Sequence, residues 1–174
     1  MNKKKLLVWA FGAAMMVTAC RKNDVLNNTA SAPAAAATSA DTTTASSWKA
    51  FSNWSAEPQE KYTVYSNTIN ASSISAAVAS KGLVLVYKKT GSNIIALPGE
   101  EKGSTGSYFW YYQVSQGKLS ITADAYDHAA APGTEQNFKY FILSAEKLDE
   151  LQGKGYSKAE LMTLTYENAA AILK

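Results

Sequence analysis

The chain has 174 residues, with 17 basic and 14 acidic side chains, one histidine and one cysteine. Its formal charge of +3 matches the three lysines Lys3, Lys4 and Lys5; without them the acids and bases balance, so there is no long-range attraction for polyanions and nucleic acid is not an expected partner. The lone cysteine excludes an internal disulfide framework.

The amino terminus combines Lys3-Lys4-Lys5 with an apolar run from Leu6 to Val17. That run is too short for the ~20 residues a spanning helix needs and has the length of a signal-peptide core. It leads into Val17-Thr18-Ala19-Cys20, which resembles the lipobox of bacterial lipoproteins. The resemblance implies a signal peptide over 1–19, cleavage before Cys20, a diacylglyceryl thioether on that cysteine and acylation of its new amino group. Two or three acyl chains would hold the protein on a bilayer almost irreversibly, at ~0.8 kcal/mol per buried methylene.

Residues 20–47 are mostly Ala, Ser, Thr, Asn and Asp. They cannot bury enough apolar surface to offset ~1–2 kcal/mol of ordering entropy per residue, so they read as a disordered linker. Arg21 stands where an inner-membrane retention signal would carry Asp, which favours the outer membrane, facing the periplasm or the cell surface. The run Arg21-Lys22-Asn23-Asp24 resembles surface-export signals of Bacteroidetes lipoproteins. Asp41-Thr42-Thr43 resembles the O-glycosylation motif of the same bacteria, making Thr42 a candidate glycan acceptor.

Aromatic residues begin at Trp48, so 48–174 is expected to form one globular domain, with Trp48, Phe51 and Trp54 as a lid on one end of its core. Lys61–Ser66 reads as a strand from its β-branched and aromatic residues. Ser72–Ala79 offers a serine cap and an Ile74/Val78 pair, hence a short helix ending near Gly82. Leu83–Tyr87 is apolar without interruption, which predicts a central strand covered on both faces. Asn93–Leu97 is a strand stopped by Pro98-Gly99. The segment from Ser107 to Ala125 reads as a hairpin around Ser115-Gln116-Gly117, with Leu119, Ile121 and Ala123 on one face of its second arm. Phe138–Leu143 is a further strand. Ser157-Lys158-Ala159-Glu160 has the capping-box spacing, and Ser157–Lys174 reads as one or two helices with Tyr166, Ala169, Ala170 and Leu173 inward. The expected fold is mainly β: an antiparallel β-sandwich or open barrel with short helices, including a C-terminal helical tail.

Several of these segments together resemble a family of small uncharacterised lipoproteins from Bacteroidetes: Ser72-Ser73-Ile74, Lys81–Tyr87, Ile95-Ala96-Leu97-Pro98, Gly117–Ile121 and Phe138–Ile142, in order. The resemblance runs from Trp54 to Leu143 and departs at Ser144-Ala145, where such proteins often carry Pro-Gly. It implies fold and host and transfers no catalytic or binding residue.

Candidate chemistry is sparse. Asp124, Asp127 and His128, with Glu135 nearby, bring oxygens and one nitrogen into one loop region, but no repeated ligand spacing accompanies them; a polar surface loop is the expected reading, with no metal and no cofactor. Gly103-Ser104-Thr105-Gly106-Ser107 lacks the nucleophile-elbow pattern and reads as a turn. The carboxylate pairs Glu57/Glu60 and Glu100/Glu101 would serve glycoside hydrolysis only if both acids of a pair faced one cleft. The most distinctive feature is Tyr108-Phe109-Trp110-Tyr111-Tyr112. Strand alternation puts Tyr108, Trp110 and Tyr112 on one face and Phe109 and Tyr111 on the other. If Tyr108, Trp110 and Tyr112 are exposed, they form a platform of flat rings for a glycan or an envelope protein. The resulting expectation is a non-enzymatic, lipid-anchored structural or binding module; the alternative is an envelope hydrolase acting through the His128/carboxylate region.

Overall fold

The computed structural model describes residues 43–103, 106–127 and 129–174. Cys20, Thr42 and His128 lie outside the described residues, as do the leader, the linker up to Thr42 and the tip of the Gly103–Ser107 turn.

The chain runs through β1 (Thr43–Ala45), β2 (Lys49–Ala50), β3 (Ser55–Pro58) and β4 (Tyr62–Asn70) to α1 (Ala76–Lys81). It continues as β5 (Leu83–Thr90), β6 (Asn93–Leu97), β7 (Gly99–Lys102), β8 (Ser107–Ser115), β9 (Lys118–Tyr126) and β10 (Gln136–Leu143). Three helices close it: α2 (Ala145–Gly153), α3 (Lys158–Met162) and α4 (Tyr166–Ile172). The protein is mainly β, and its strands form two antiparallel sheets. Sheet A has the order β1-β10-β5-β6, with β2 also pairing along β10; sheet B has the order β3-β4-β9-β8-β7. This is the sandwich of the two expected architectures.

The chain passes from sheet A to sheet B across the cis Leu97-Pro98 bond between β6 and β7. Gly99 follows it at a point where a Cβ would come within 2.6 Å of the Ala96 carbonyl oxygen, so the corner admits no side chain. The β8–β9 hairpin turns at Gln116-Gly117, and Gly117 takes φ +71°, a conformation that glycine reaches without steric cost.

Two cores result. Between the sheets lie Val84, Val86, Phe138 and Ile142 from sheet A, and Trp110, Leu119, Ile121 and Ala123 from sheet B. On the other side of sheet A, Leu83, Leu85, Tyr87, Phe141 and Leu143 pack against Leu148, Leu151, Leu161, Ala169 and Leu173 of the helical segment. The continuous apolar run of β5 therefore faces a sheet on one side and helices on the other, which is why it carries no polar alternation. Each fully buried side chain of this kind contributes about 1.5–3 kcal/mol.

The expected inner stripe of the last helix is present: Ala169 and Leu173 are buried, and Tyr166 and Ala170 pack on the same cluster. The capping box at Ser157 and Glu160 is complete. The helices form a full third layer, because α2 starts at the Ser144 cap directly after β10. Ser75 is the serine that caps α1, because Ile74 ahead of it is a buried plug whose N–H bonds the Ala71 carbonyl and whose carbonyl accepts from Gly117. Among the described residues strand pairing is already present at Thr43, ahead of Trp48 and within the 20–47 segment expected as a disordered linker, since Thr43–Ala45 extends sheet A along Phe141–Leu143. The three aromatics that open the domain divide: Phe51 stacks on Phe138 at 4.9 Å and Trp54 packs on Trp110, whereas Trp48 turns to Tyr166 in the helical layer, 5.2 Å away.

Candidate functional site: the outer face of sheet B

The hairpin register decides which aromatic face points inward. Tyr108, Trp110 and Tyr112 lie opposite Ala125, Ala123 and Ile121. The two alanines leave room beneath the larger rings, and Trp110 is 0% exposed in the inter-sheet core. Its indole Nε1–H donates to Glu101 Oε2 at 3.1 Å. Tyr112 donates to the Val84 carbonyl at 2.6 Å and Tyr108 to the Ala130 carbonyl at 2.7 Å. The Tyr108/Trp110/Tyr112 platform, conditional on exposure, is thus corrected: Trp110 is fully buried, Tyr108 and Tyr112 pack half-buried against the same core, and all three polar tips are spent on acceptors within the protein. The signal was in the sequence. Counting back across the Gln116-Gly117 turn sets Trp110 against Ala123, on the face already assigned to the core.

The opposite face of sheet B carries one exposed ring, Phe109, and three half-buried ones, Tyr62, Tyr111 and Tyr126. Phe109, at 38% exposure, is the exposed large apolar side chain among the described residues. It pairs with Tyr111 along β8 at 5.9 Å between centroids. Tyr62 on β4 and Tyr126 on β9 are cross-strand partners whose rings lie 5.1 Å apart at 34°. Asp124 sits between the two ring pairs, directly opposite Phe109 and two residues before Tyr126. Tyr111 donates its hydroxyl to Asp124 Oδ1 at 3.2 Å. The Tyr111 hydroxyl is pushed above its ordinary range, first by desolvation and then by the Asp124 carboxylate. Polar side chains surround the rings: Thr122 lies beside Tyr111, Ser120 shares a 2.7 Å hydroxyl contact with Thr68, and Glu100 is opposite Phe109. A shallow pocket of about 110 Å³, lined by Glu100, Lys102, Ser107, Tyr108, Phe109 and Tyr126, opens at the β7 side. A larger one, of about 330 Å³, lies at the end of β4 and β9 beside Tyr62 and runs to the inner side of the sheet, being lined by Gln59, Glu60, Lys61 and Asp127 and also by Thr63, Ala125 and Ala129. Sequence alone did not connect Tyr62 and Tyr126, because their meeting depends on β4 pairing β9 across more than 60 intervening residues.

The remaining candidates do not converge. Glu100 and Glu101 are neighbours on β7 and therefore point to opposite faces, Glu100 outward and Glu101 into the core toward Trp110 and Lys88. They cannot flank one scissile bond. Glu57 is exposed on the edge strand β3, where Gln59 donates to it at 3.3 Å, and Glu60 is exposed in the following loop. Asp127 is in an exposed turn with φ +56°, 3.5 Å from the Ser107 hydroxyl; Glu135 is exposed ahead of β10. Asp124, Asp127 and Glu135 thus occupy a sheet face, a turn and a loop, and among the described residues no group of three metal-ligating side chains is assembled. Among the same residues no helix is long and apolar enough to cross a membrane.

The chain matched none of the protein-family models, curated proteins or solved structures with which it was compared.

Proposed function

We propose that this protein is a lipid-anchored, non-enzymatic binding module of the cell envelope. Acylated Cys20 tethers it, 20–42 space it from the bilayer, and the outer face of sheet B holds a glycan. The outer membrane is the favoured address, in keeping with the resemblance to Bacteroidetes lipoproteins and with Arg21 following the cysteine. One observation carries the binding reading: two tilted ring pairs, Phe109/Tyr111 and Tyr62/Tyr126, lie on a sheet face whose other side chains are mostly carboxylates, hydroxyls and amides, with Val64, Lys102 and Lys118 among them. Flat apolar surfaces bordered by hydrogen-bonding groups suit a sugar ring, which has an apolar face and a polar rim.

The test uses the Cys20→Ser protein, expressed without its leader, against an array of oligosaccharides followed by calorimetry. Stacking on one ring contributes about 0.5–1.5 kcal/mol beyond area, so Phe109→Ala or Tyr126→Ala should each weaken binding by about three- to tenfold or more, while Lys158→Ala leaves it unchanged. Binding that survives both ring substitutions would remove the face from consideration. For the anchor, the full-length Cys20→Ser chain should leave the membrane fraction and take up no labelled palmitate. Continued incorporation would refute the assignment.

A further inference from the structure

We infer that this face reads a positively charged amine, so that its ligand class is a glycan carrying free amino groups. The inference rests on the glycan-binding reading above and narrows it.

Asp124 is the centre of the argument. It occupies the middle strand of the outer face, with Phe109 across from it on β8, Val64 across from it on β4 and Tyr126 two residues along β9. Tyr111 takes up Oδ1 with its hydroxyl, which fixes the carboxylate among the rings. Sheet alternation turns both neighbouring rings to the same side as the carboxylate. A carboxylate set among aromatic faces is the arrangement that an ammonium group satisfies twice, by a charge-assisted hydrogen bond to the oxygen and by attraction to the ring quadrupoles.

The surrounding charge has the same sense. Glu100 lies opposite Phe109 on β7, and Asp127 follows Tyr126 in an exposed turn. Glu57 on β3 and Glu60 after it add two further acids, against Lys61 at the Tyr62 corner, Lys102 on β7 and Lys118 at the far end of β9. The excess is negative. A uronic-acid or sulfated chain would be repelled, and a neutral chain would gain only from stacking. A polymer with protonated amines gains from both terms, and the open, shallow shape of the face suits a chain lying across the strands rather than a single enclosed sugar.

The experiment titrates the Cys20→Ser protein with fully deacetylated glucosamine hexamer and with the fully N-acetylated hexamer, in mildly acid, low-salt buffer that keeps the amines protonated. The deacetylated chain should bind about tenfold more tightly, and the preference should shrink as salt rises. Asp124→Asn should erase the preference while leaving weak binding of both chains, with thermal stability checked alongside; Glu100→Gln, which flanks Phe109 from the edge strand and not the Tyr62/Tyr126 pair, should reduce it by a smaller factor. Phe109→Ala should weaken both chains alike. Equal affinity for the two hexamers, or a preference that persists in Asp124→Asn, would overturn the amine assignment while the glycan reading stands. Failure of every oligosaccharide to bind would overturn both.

Discussion

Lys88 and Glu101 join the two sheets from strands that do not pair with each other. Lys88 Nζ on β5 lies 2.7 Å from Glu101 Oε2 on β7, and the lysine side chain is only 1% exposed. Thr90 donates to the other carboxylate oxygen at 3.0 Å, Trp110 adds its indole N–H, and the ammonium sits 4.8 Å from the centre of the Trp110 ring. Burial pushes the Lys88 amine below its ordinary range, and the Glu101 hydrogen bond and charge oppose that fall. The pair holds because every group in it is satisfied, which is the condition under which a buried ion pair is tolerated.

Removing one partner should therefore cost far more than removing both. Glu101→Leu strands a buried ammonium and an indole N–H, and is expected to destabilise by about 3–5 kcal/mol in urea unfolding. Lys88→Met with Glu101→Gln keeps an acceptor for Trp110 and dispenses with both charges, and should recover most of that loss. A double variant as unstable as Glu101→Leu would show that the pair is net stabilising rather than merely mutually dependent.

Tyr112 and Tyr87 make the fold sensitive to alkali. Tyr112 reaches from sheet B to the Val84 carbonyl, and Tyr87 reaches from the far side of the same strand to the Leu164 carbonyl at 3.2 Å. Burial pushes Tyr112 up to about 12, and burial with smaller contributions from Tyr112 and Glu167 pushes Tyr87 up to about 12, each from 10.0. The folded state thus holds these protons more tightly than the unfolded chain does. Their contribution is complete below pH 10 and is lost as pH rises toward 12. Lys88, whose folded value is lowered, acts with the opposite sign, since over its own window the unfolded chain binds more protons. Tyr112→Phe should cost about 0.5–1.5 kcal/mol at neutral pH through the lost hydrogen bond and flatten the alkaline decline. A melting midpoint that falls with the same slope in the variant would exclude Tyr112 as a source.

Adjacent aromatic residues on β8 should separate stability from binding. Trp110→Ala opens a cavity in the inter-sheet core beside Phe138 and Trp54 and is expected to cost about 3–5 kcal/mol. Phe109→Ala, one residue away on the exposed face, should cost only about 0.5–1.5 kcal/mol through its lost contact with Tyr111 while weakening ligand binding. Equilibrium unfolding of the two variants, set beside their titrations, distinguishes the faces; a large stability loss from Phe109→Ala would mean that the outer ring pairs serve packing.

What could be seen in the sequence follows from how much each segment depends on partners. The β5 run and the β8–β9 hairpin were legible because a residue's own neighbours reveal burial on two faces, or a turn with alternating arms. The serine caps at Ser157 and the stripe through Ala169 and Leu173 were legible for the same local reason. Helix α2 was missed although Ser144 caps it, because only Leu148 and Leu151 are buried in it and Gly153 cuts the pattern short. Strands β1, β2, β3 and β7 are two to four residues long and mostly polar, so they are strands by virtue of the edge they join. The binding face was legible as an alternation and not as a surface: Tyr62 and Tyr126 carry no mark of each other until β4 lies beside β9.

The β1 edge gives the last prediction. Thr43–Ala45 pairs with Phe141–Leu143, and Ser46 then makes two bonds to Tyr140, its N–H donating to the carbonyl at 2.9 Å and its Oγ accepting from the N–H at 3.0 Å. A chain starting at Trp48 keeps every aromatic residue of the domain and loses that pairing. The two Ser46 bonds alone are worth about 1–3 kcal/mol, and the unpaired flank of β10, with Phe141, Ile142 and Leu143 in it, becomes an open template for another strand. The 48–174 fragment should therefore unfold at lower urea than the 43–174 fragment and self-associate as concentration rises, measurable by sedimentation. If the two fragments prove equally stable and monomeric, Thr43–Ser46 is an adherent end of the linker and the domain begins with the aromatics after all.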